Sequence, residues 1–413
     1  MRIANLTDSV TEQILSARRG RESDAERAAG GIVAEVRRRG DAALFEFTRR
    51  FDGLRLTPKT LWVSAAEPRT IPRDLREALE HAARNIRRVA EEQRPRSWTI
   101  NVEPGVKVAQ RVSAIETIGC YIPGGRHSLL STLLMTAIPA QVAGVKRIVV
   151  ACPKPNAALL AAAEMLGLSE IAHIGGAQAI AALAYGTRSV PRVDKIFGPG
   201  NRYVTAAKRI VSAERAVDML AGPTEVLVLA TRGEARFIAA DLIAQAEHDP
   251  DATALFVTTS RALGAAVSEF VDEQLSLLPP GNPARTALLS NGAILIARDV
   301  KSALCFANLF APEHLSVPSG EEVFAQHLPA AGSVFIGPWA AQSVGDYASG
   351  TNHVLPTGGG ARSRGGLSTW DFVRCTTVQT LSQAGLRRVA PVVSALADAE
   401  GLVAHKRDVE VRK

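Results

Sequence analysis

From residue 129 onward, short runs of aliphatic and β-branched residues alternate with longer stretches of helical spacing, and this alternation constrains the fold more than any other feature. A helical stretch around 129–143 precedes Arg147-Ile148-Val149-Val150, and another at 156–166 precedes Ile171-Ala172-His173-Ile174. Gly175-Gly176 opens a helix at about 177–185; Val193-Asp194-Lys195-Ile196-Phe197 then runs into Gly198-Pro199-Gly200, and a helix starts at Asn201. Apolar strands joined by helices lie parallel and are covered on both faces, so the class is α/β. A second block begins at Glu225-Val226-Leu227-Val228-Leu229. It continues through a helix at 233–247, a strand at 254–258, a helix at 262–276 and strands near Ile294-Leu295-Ile296 and Val334-Phe335-Ile336. Ahead of both blocks, 22–95 reads mostly as helix and 106–122 as extended; behind them, glycine-rich 358–366 leads into a helical tail from about 370 to 404. The 413 residues exceed one ordinary core, so two or more domains are expected.

Composition removes several classes. Apolar residues make up 46%, enough for sizeable cores, and charged residues 22%, so neither disorder nor a fibre fits. The net charge of +7 is dispersed apart from Arg37-Arg38-Arg39 and Arg387-Arg388, and no zinc-finger spacing accompanies it. A nucleic-acid reader concentrates its charge on one element; here the charge reads as a basic surface that attracts an anionic cofactor at most. Cys120, Cys152, Cys305 and Cys375 form no CxxC pair, which argues against a disulfide framework and for a reducing, cytoplasmic setting. The N-terminus lacks the apolar stretch of a signal peptide. The most apolar region, 133–152, is interrupted by Pro139, Gln141, Lys146 and Arg147, so no membrane span is expected.

Four segments are able to carry chemistry. Gln245-Ala246-Glu247-His248 ends a helix, where an i, i+3 pair shares one face and suits a metal, although such a pair is ordinarily a helix-end cap or surface pair. Glu313-His314 offers two groups that move protons near neutrality, or merely a solvated loop pair. The run from Gly345 to His353 lets backbone approach a ligand, with Asp346 able to hold a metal and His353 a substrate; a plain turn with an Asp cap is the alternative. Glu400 and His405 lie almost at the C-terminus, where chain ends are ordinarily frayed. No GxGxxG follows a strand, and Gly198-Pro199-Gly200-Asn201 is a generic anion-binding turn, so the residues alone allow a nucleotide and no more.

Together these segments resemble the histidinol dehydrogenase family. So do Tyr121-Ile122-Pro123-Gly124-Gly125, the run from Gly175 to Leu183, Val193 to Asn201 and Ala221-Gly222-Pro223-Thr224-Glu225-Val226-Leu227, so the resemblance covers nearly the whole chain. It implies two Rossmann-like parallel-sheet domains with small terminal segments in an intertwined homodimer. By analogy, 1–19 is an N-terminal arm; 20–120 with 224–368 is one discontinuous domain; 121–223 is the NAD-side domain; and 369–413 is a helical tail crossing to the partner subunit. Gln245, His248, Asp346 and His405 match zinc ligands, one ion per subunit, and Glu313 and His314 match the acid–base pair. Thr224, His353 and Glu400, with the zinc ligands and His314, match positions around the substrate; Tyr121, Gln178 and Asn201 match NAD contacts. Many relatives carry Ser where this chain has Thr224, which keeps the hydroxyl. The cysteines receive no role.

The implied reaction is oxidation of L-histidinol to L-histidine through the aldehyde, with two hydride transfers to NAD. Zinc positions the substrate, His314 takes the hydroxyl proton and Glu313 activates water. Two alternatives stay open: another small alcohol, such as a sulfonated diol, on the same scaffold, and a non-catalytic zinc-binding protein.

Overall fold

The computed structural model describes all residues except 19–22, 65–68, 125–128, 322, 323, 325, 326, 328 and 329. Gly125 and the expected boundary at 19/20 lie outside the described residues. Two six-stranded sheets carry the chain. The first runs in the order Arg2–Asn5, Ala293–Ile296, Thr253–Thr258, Glu225–Leu229, His314–Val317, Ser333–Ile336, all parallel. The second runs Trp62–Val63, Ile171–Ala172, Arg147–Ala151, Thr117–Tyr121, Lys195–Phe197, Ala216–Val217. It is parallel except for Trp62–Val63, which pairs antiparallel with Ile171–Ala172. Within each block the strands stand in the order third, second, first, fourth, fifth, with one earlier strand added beyond the third. This is the Rossmann-like order, with a switch point between first and fourth strands.

The strand sequences explain the layering. All five residues of Glu225–Leu229 are buried, and successive side chains point to opposite faces. Val226, Val228, Phe256 and Ile294 therefore meet helices Ala235–Ala246, Arg261–Ser276 and Ala284–Asn291. Leu227, Leu229, Leu255 and Leu295 face helix Val300–Phe310 on the other side. Among the described residues, the N-terminal segment adds to that face: Arg2–Asn5 extends the sheet edge, and Val10 and Ile14 of helix Asp8–Ala17 pack beside Val300–Phe310. The first residues are thus a layer of this sheet rather than an arm.

A second expectation also needs correction. The helices within residues 20–120 cover the second sheet rather than the first, although Leu79 and Ile86 share a core with Val354 and Leu367 and Asn85 bonds the Ala348 carbonyl. Ala29, Val33, Leu44 and Phe47, from helices Ser23–Arg39 and Asp41–Asp52, share a core with Ile180, Leu183 and Val204. Leu79 and Ile86 of helix Arg73–Glu92 share one with Leu133 and Ile138. The cause is again coverage: the second sheet has two short helices of its own block on each face, and the earlier helices finish both layers.

The tail departs from a purely helical reading. Val373–Leu381 is a strand, in an antiparallel sheet with Trp98–Glu103 and Val106–Ala114, as suits its β-branched Val373, Thr376, Thr377, Val378 and Thr380. Helices Gln383–Ala399 and Val403–Glu410 follow. Just before this strand, Phe372 stacks on Phe197 at 4.1 Å, which ties the start of the tail to the second sheet. Among the described residues, no helix is long and apolar enough to cross a membrane.

Gly198 turns strand Lys195–Phe197 into the following loop at φ +109°, and a Cβ there would stand 2.0 Å from the Tyr121 carbonyl oxygen. Backbone strain and overpacking together are expected to make Gly198→Ala about 3 kcal/mol less stable. Denaturant unfolding checks this, and a midpoint equal to wild type would show that the loop relaxes freely.

Candidate active site

Residues Thr224 and Glu313 immediately precede two neighbouring strands of the first sheet. Val226 pairs with His314 in register, so both lie at the amino ends of those strands. Thr224 Oγ1 donates to Glu313 Oε2 at 2.5 Å, and the Glu225 amide donates to the same oxygen at 2.8 Å. Gln245, in the last turn of helix Ala235–Ala246, donates through Nε2 to Thr224 Oγ1 and lies 3.4 Å from His314 Nδ1. On the other side of the imidazole, Nε2 is 3.4 Å from Asp346 Oδ1, and Phe335 stacks on the ring. His353 Nδ1 donates to the Asp346 carbonyl at 3.2 Å, because a carbonyl only accepts; its Nε2 then accepts from Thr132 Oγ1 at 3.0 Å. Thr132 belongs to helix Leu130–Ala143 of the second sheet's layers, so the site lies between the two sheets.

Electrostatics follow from this packing. Burial opposes a charge on His314, but the carboxylates of Glu313 and Asp346 outweigh it and push the imidazole up to about 10. Burial also works against the Asp346 anion, yet its bond to His314 and the charges of His314, His353 and His248 hold the carboxyl below its ordinary range. Burial lowers His353, which keeps that ring neutral near pH 7.

One carboxylate that the sequence did not single out supports both catalytic candidates. Glu225 is buried; its amide holds Glu313, and its carbonyl lies 3.3 Å from His314 Nδ1. Its side chain takes two donors from Arg18, at the end of the N-terminal helix, and one from the Gly358 amide. Arg18 also donates to the Phe310 carbonyl at 2.6 Å and lies over that ring. Nothing in the sequence marks Arg18, since its partner is 207 residues away.

The cofactor candidates lie at the carboxyl edge of the second sheet. Tyr121 ends the central strand, and its hydroxyl accepts from the Gly176 amide at 3.1 Å. Gln178 is buried, with Nε2 3.2 Å from Asp52. Asn201 caps helix Arg202–Val211 by accepting from the Tyr203 and Val204 amides. Beneath this loop, Lys208 and Asp218 form a buried pair: Lys208 Nζ donates to Asp218 Oδ1 and, at 2.9 Å, to the Gly198 carbonyl, while Asp218 Oδ2 accepts from the Gly198 amide at 2.7 Å.

Of the remaining candidates, His248 stands near enough for its charge to act on Asp346, whereas Glu400 and His405 are not brought to the cluster. His248 is exposed beyond the turn that carries Gln245, and Glu400 and His405 are exposed in the tail. Among the described residues, no three His, Cys, Asp or Glu side chains converge as a metal cage.

The chain matches the histidinol dehydrogenase family profile over residues 15–413. The histidinol dehydrogenase of Geobacillus kaustophilus is 45% identical to it, with 96% of this chain and 97% of that protein aligned. That of Halalkalibacterium halodurans is 44% identical, with 92% of each covered. The crystal structure of histidinol dehydrogenase from Elizabethkingia anophelis superposes with a TM-score of 0.90 at 36% identity, covering 100% of this chain and 98% of that one. The chain belongs to the histidinol dehydrogenase family.

As a member of that family it is an oxidoreductase. In this dehydrogenase no cysteine joins the site: Cys120 is buried, and burial pushes its thiol up to about 12, so the thiolate is absent near neutrality.

Replacing Arg18 by Met leaves Glu225 buried without its counter-ion, which is expected to cost about 3 kcal/mol at pH 8. Burial already raises the Glu225 carboxyl despite Arg18, and the variant raises it further. A raised folded-state value means that the folded protein takes up a proton before the unfolded chain does, so the deficit should shrink as pH falls from 8 to 5. Urea midpoints across that range decide it; a deficit independent of pH would place the loss in packing against Phe310 instead.

Proposed function

We propose that this chain oxidises L-histidinol to L-histidine through the aldehyde, in two successive hydride transfers to NAD, with a zinc ion in the site. The observation that carries the reading is the buried cluster of Gln245, Glu313, His314 and Asp346, joined by half-buried Thr224, in which the Gln245 amide oxygen is buried without a hydrogen-bond partner. A cation satisfies such an orphaned acceptor. With Asp346 and the imidazoles of His248 and His405, the donor set is one that zinc accepts. When bound, the zinc would polarise and fix the amine and imidazole nitrogens of the substrate.

The chain's own residues supply the rest. With a cation on Asp346, one of the two carboxylates that keep the proton on His314 is neutralised, which brings that ring toward the range of a base. His314 then takes the hydroxyl proton during each hydride transfer. Glu313, oriented by Thr224 and the Glu225 amide, activates the water that adds to the aldehyde. His353, kept neutral, is a further substrate contact. Tyr121, Gln178 and Asn201, at the carboxyl edge of the second sheet beside its topological switch point, would hold NAD, which would accept the hydrides. The carboxylates of Glu313 and Asp346 favour a cationic amine over a sulfonated diol, because the nearby Arg18 is already engaged by Glu225.

Assay of NADH formation from histidinol tests this: two NADH per substrate are expected, abolished by a chelator and restored by zinc. His314→Ala should lose roughly 10²-fold or more in turnover with zinc content retained, and Glu313→Gln should slow the aldehyde step more than the first oxidation. Full turnover in His314→Ala removes that residue from the mechanism.

The site is shared between two subunits of a homodimer. Supporting this, Trp98, Ile100 and Val102 lie exposed along one strand, Val392, Leu396, Val403 and Val411 are exposed on the tail helices, and His405 is away from the other ligands. Mixed His314→Ala and His405→Ala subunits should regain activity, since up to about half the sites in a two-fold heterodimer are whole. Heterodimers that form and stay inactive would assign the tail to its own subunit.

A further inference from the structure

Behind Gln245, His314 and Asp346 lies a second buried trio to which the reaction above gives no role. Asp241 stands one turn before Gln245 on helix Ala235–Ala246, and Gln342 stands one turn before Asp346 on helix Gln342–Tyr347. Ser316 follows His314 by two residues on strand His314–Val317. Residues four apart on a helix, or two apart on a strand, share a face, so each member of the trio backs one member of the site. Register agrees: His314 and Ser316 pair with Val226 and Val228, which face helix Ala235–Ala246. The trio is joined internally. Ser316 Oγ donates to Asp241 Oδ2 at 2.8 Å, and Gln342 Nε2 donates to the Asp241 carbonyl at 3.0 Å. Ser316 and Gln342 are each 1% exposed and Asp241 8%.

We propose that Asp241, Ser316 and Gln342 are positioning residues that set the spacing of Gln245, His314 and Asp346, and through it the affinity of the site for its divalent cation. The inference rests on the metal reading above.

Two features favour positioning over plain packing. Helix Gln342–Tyr347 buries only Gln342, Gly345 and Asp346, so it has no apolar face to dock it. Other side chains that donate to its backbone, Asn85 to the Ala348 carbonyl, His353 to the Asp346 carbonyl and Thr351 to the Gly345 carbonyl, hold its C-terminal half. Gln342 is the anchor of its first turn, and it reaches the backbone of the helix that carries Gln245. The trio is also costly. Burial pushes the Asp241 carboxyl up to about 6, and the Gln342 amide oxygen is buried with no hydrogen-bond partner. Apolar side chains would fill the same space without these penalties. What they would lack is direction, because hydrogen bonds fix distance and angle whereas apolar contact does not.

Zinc affinity, measured by competition with a chromogenic chelator on the full-length protein, tests this. Gln342→Ala and Ser316→Ala should each weaken binding roughly 10-fold or more, as loss of groups that orient ligands commonly does. Asp241→Asn should recover most of the affinity lost in Asp241→Ala, since its amide oxygen still accepts from Ser316. Leu295→Val, on the opposite face of the sheet, should lower the thermal midpoint and leave zinc affinity unchanged, which separates positioning from general destabilisation. Should Gln342→Ala fail to fold, Ser316→Ala, which deletes one hydroxyl, decides. Variants that fold and bind zinc as tightly as wild type overturn the positioning role. A wild-type protein that binds no zinc overturns instead the metal reading on which it rests.

Discussion

A parallel sheet has two faces to cover, and the way this chain meets that requirement sets the rest of the structure. Each six-stranded sheet leaves its own block short of helices, and the shortfall is made up from distant segments. The N-terminal helix lies on the first sheet, and helices from 23 to 92 lie on the second. Covering the first sheet brings Arg18 to Glu225, whose backbone holds Glu313 and His314. A coverage requirement therefore delivers the support for Glu313 and His314.

The two sheets offer opposite edges. Tyr121, Gln178 and Asn201 lie at the carboxyl edge of the second sheet, where strand ends and helix N-termini usually meet anions. Thr224, Glu313 and His314 lie at the amino edge of the first. Helices run antiparallel to the strands they connect, so this edge receives helix C-termini, and Gln245 arrives with the last turn of such a helix. The cluster of carboxylates and imidazoles at the amino edge of the first sheet is tied to the second sheet's layers by the His353–Thr132 bond.

Buried charge is used for placement on both sides. Arg18–Glu225 anchors the segment that holds Glu313 and His314, and Lys208–Asp218 anchors the Gly198 loop. Such pairs contribute little net stability, because desolvation offsets attraction. Their worth here lies in fixing loops that carry no apolar anchor of their own.

The α/β class, most of the order of helices and strands from 129 to 296 (strand Ala216–Val217 and helix Ala284–Asn291 excepted), and the family were legible in the sequence, because they depend on local periodicity and on residues close together in the chain. Gln245 and Asp346 stood out by residue type and spacing, and the structure sets them on either side of His314. Other features did not follow from periodicity. The strand Val373–Leu381 was hidden inside an expected helical tail, since its partners lie some 260 residues earlier. Arg18, Asp241, Ser316 and Gln342 carried no motif, and Glu225 stood inside a quoted run without being marked as a site residue; the four-residue steps back from Gln245 and Asp346 were the one sequence hint of Asp241 and Gln342. The helices from 23 to 92 are amphipathic, but an apolar face specifies that it must be buried, not against which sheet. Hydrophobic burial is non-directional, so that choice was decided by tertiary packing, where two incomplete layers and the available segments had to match.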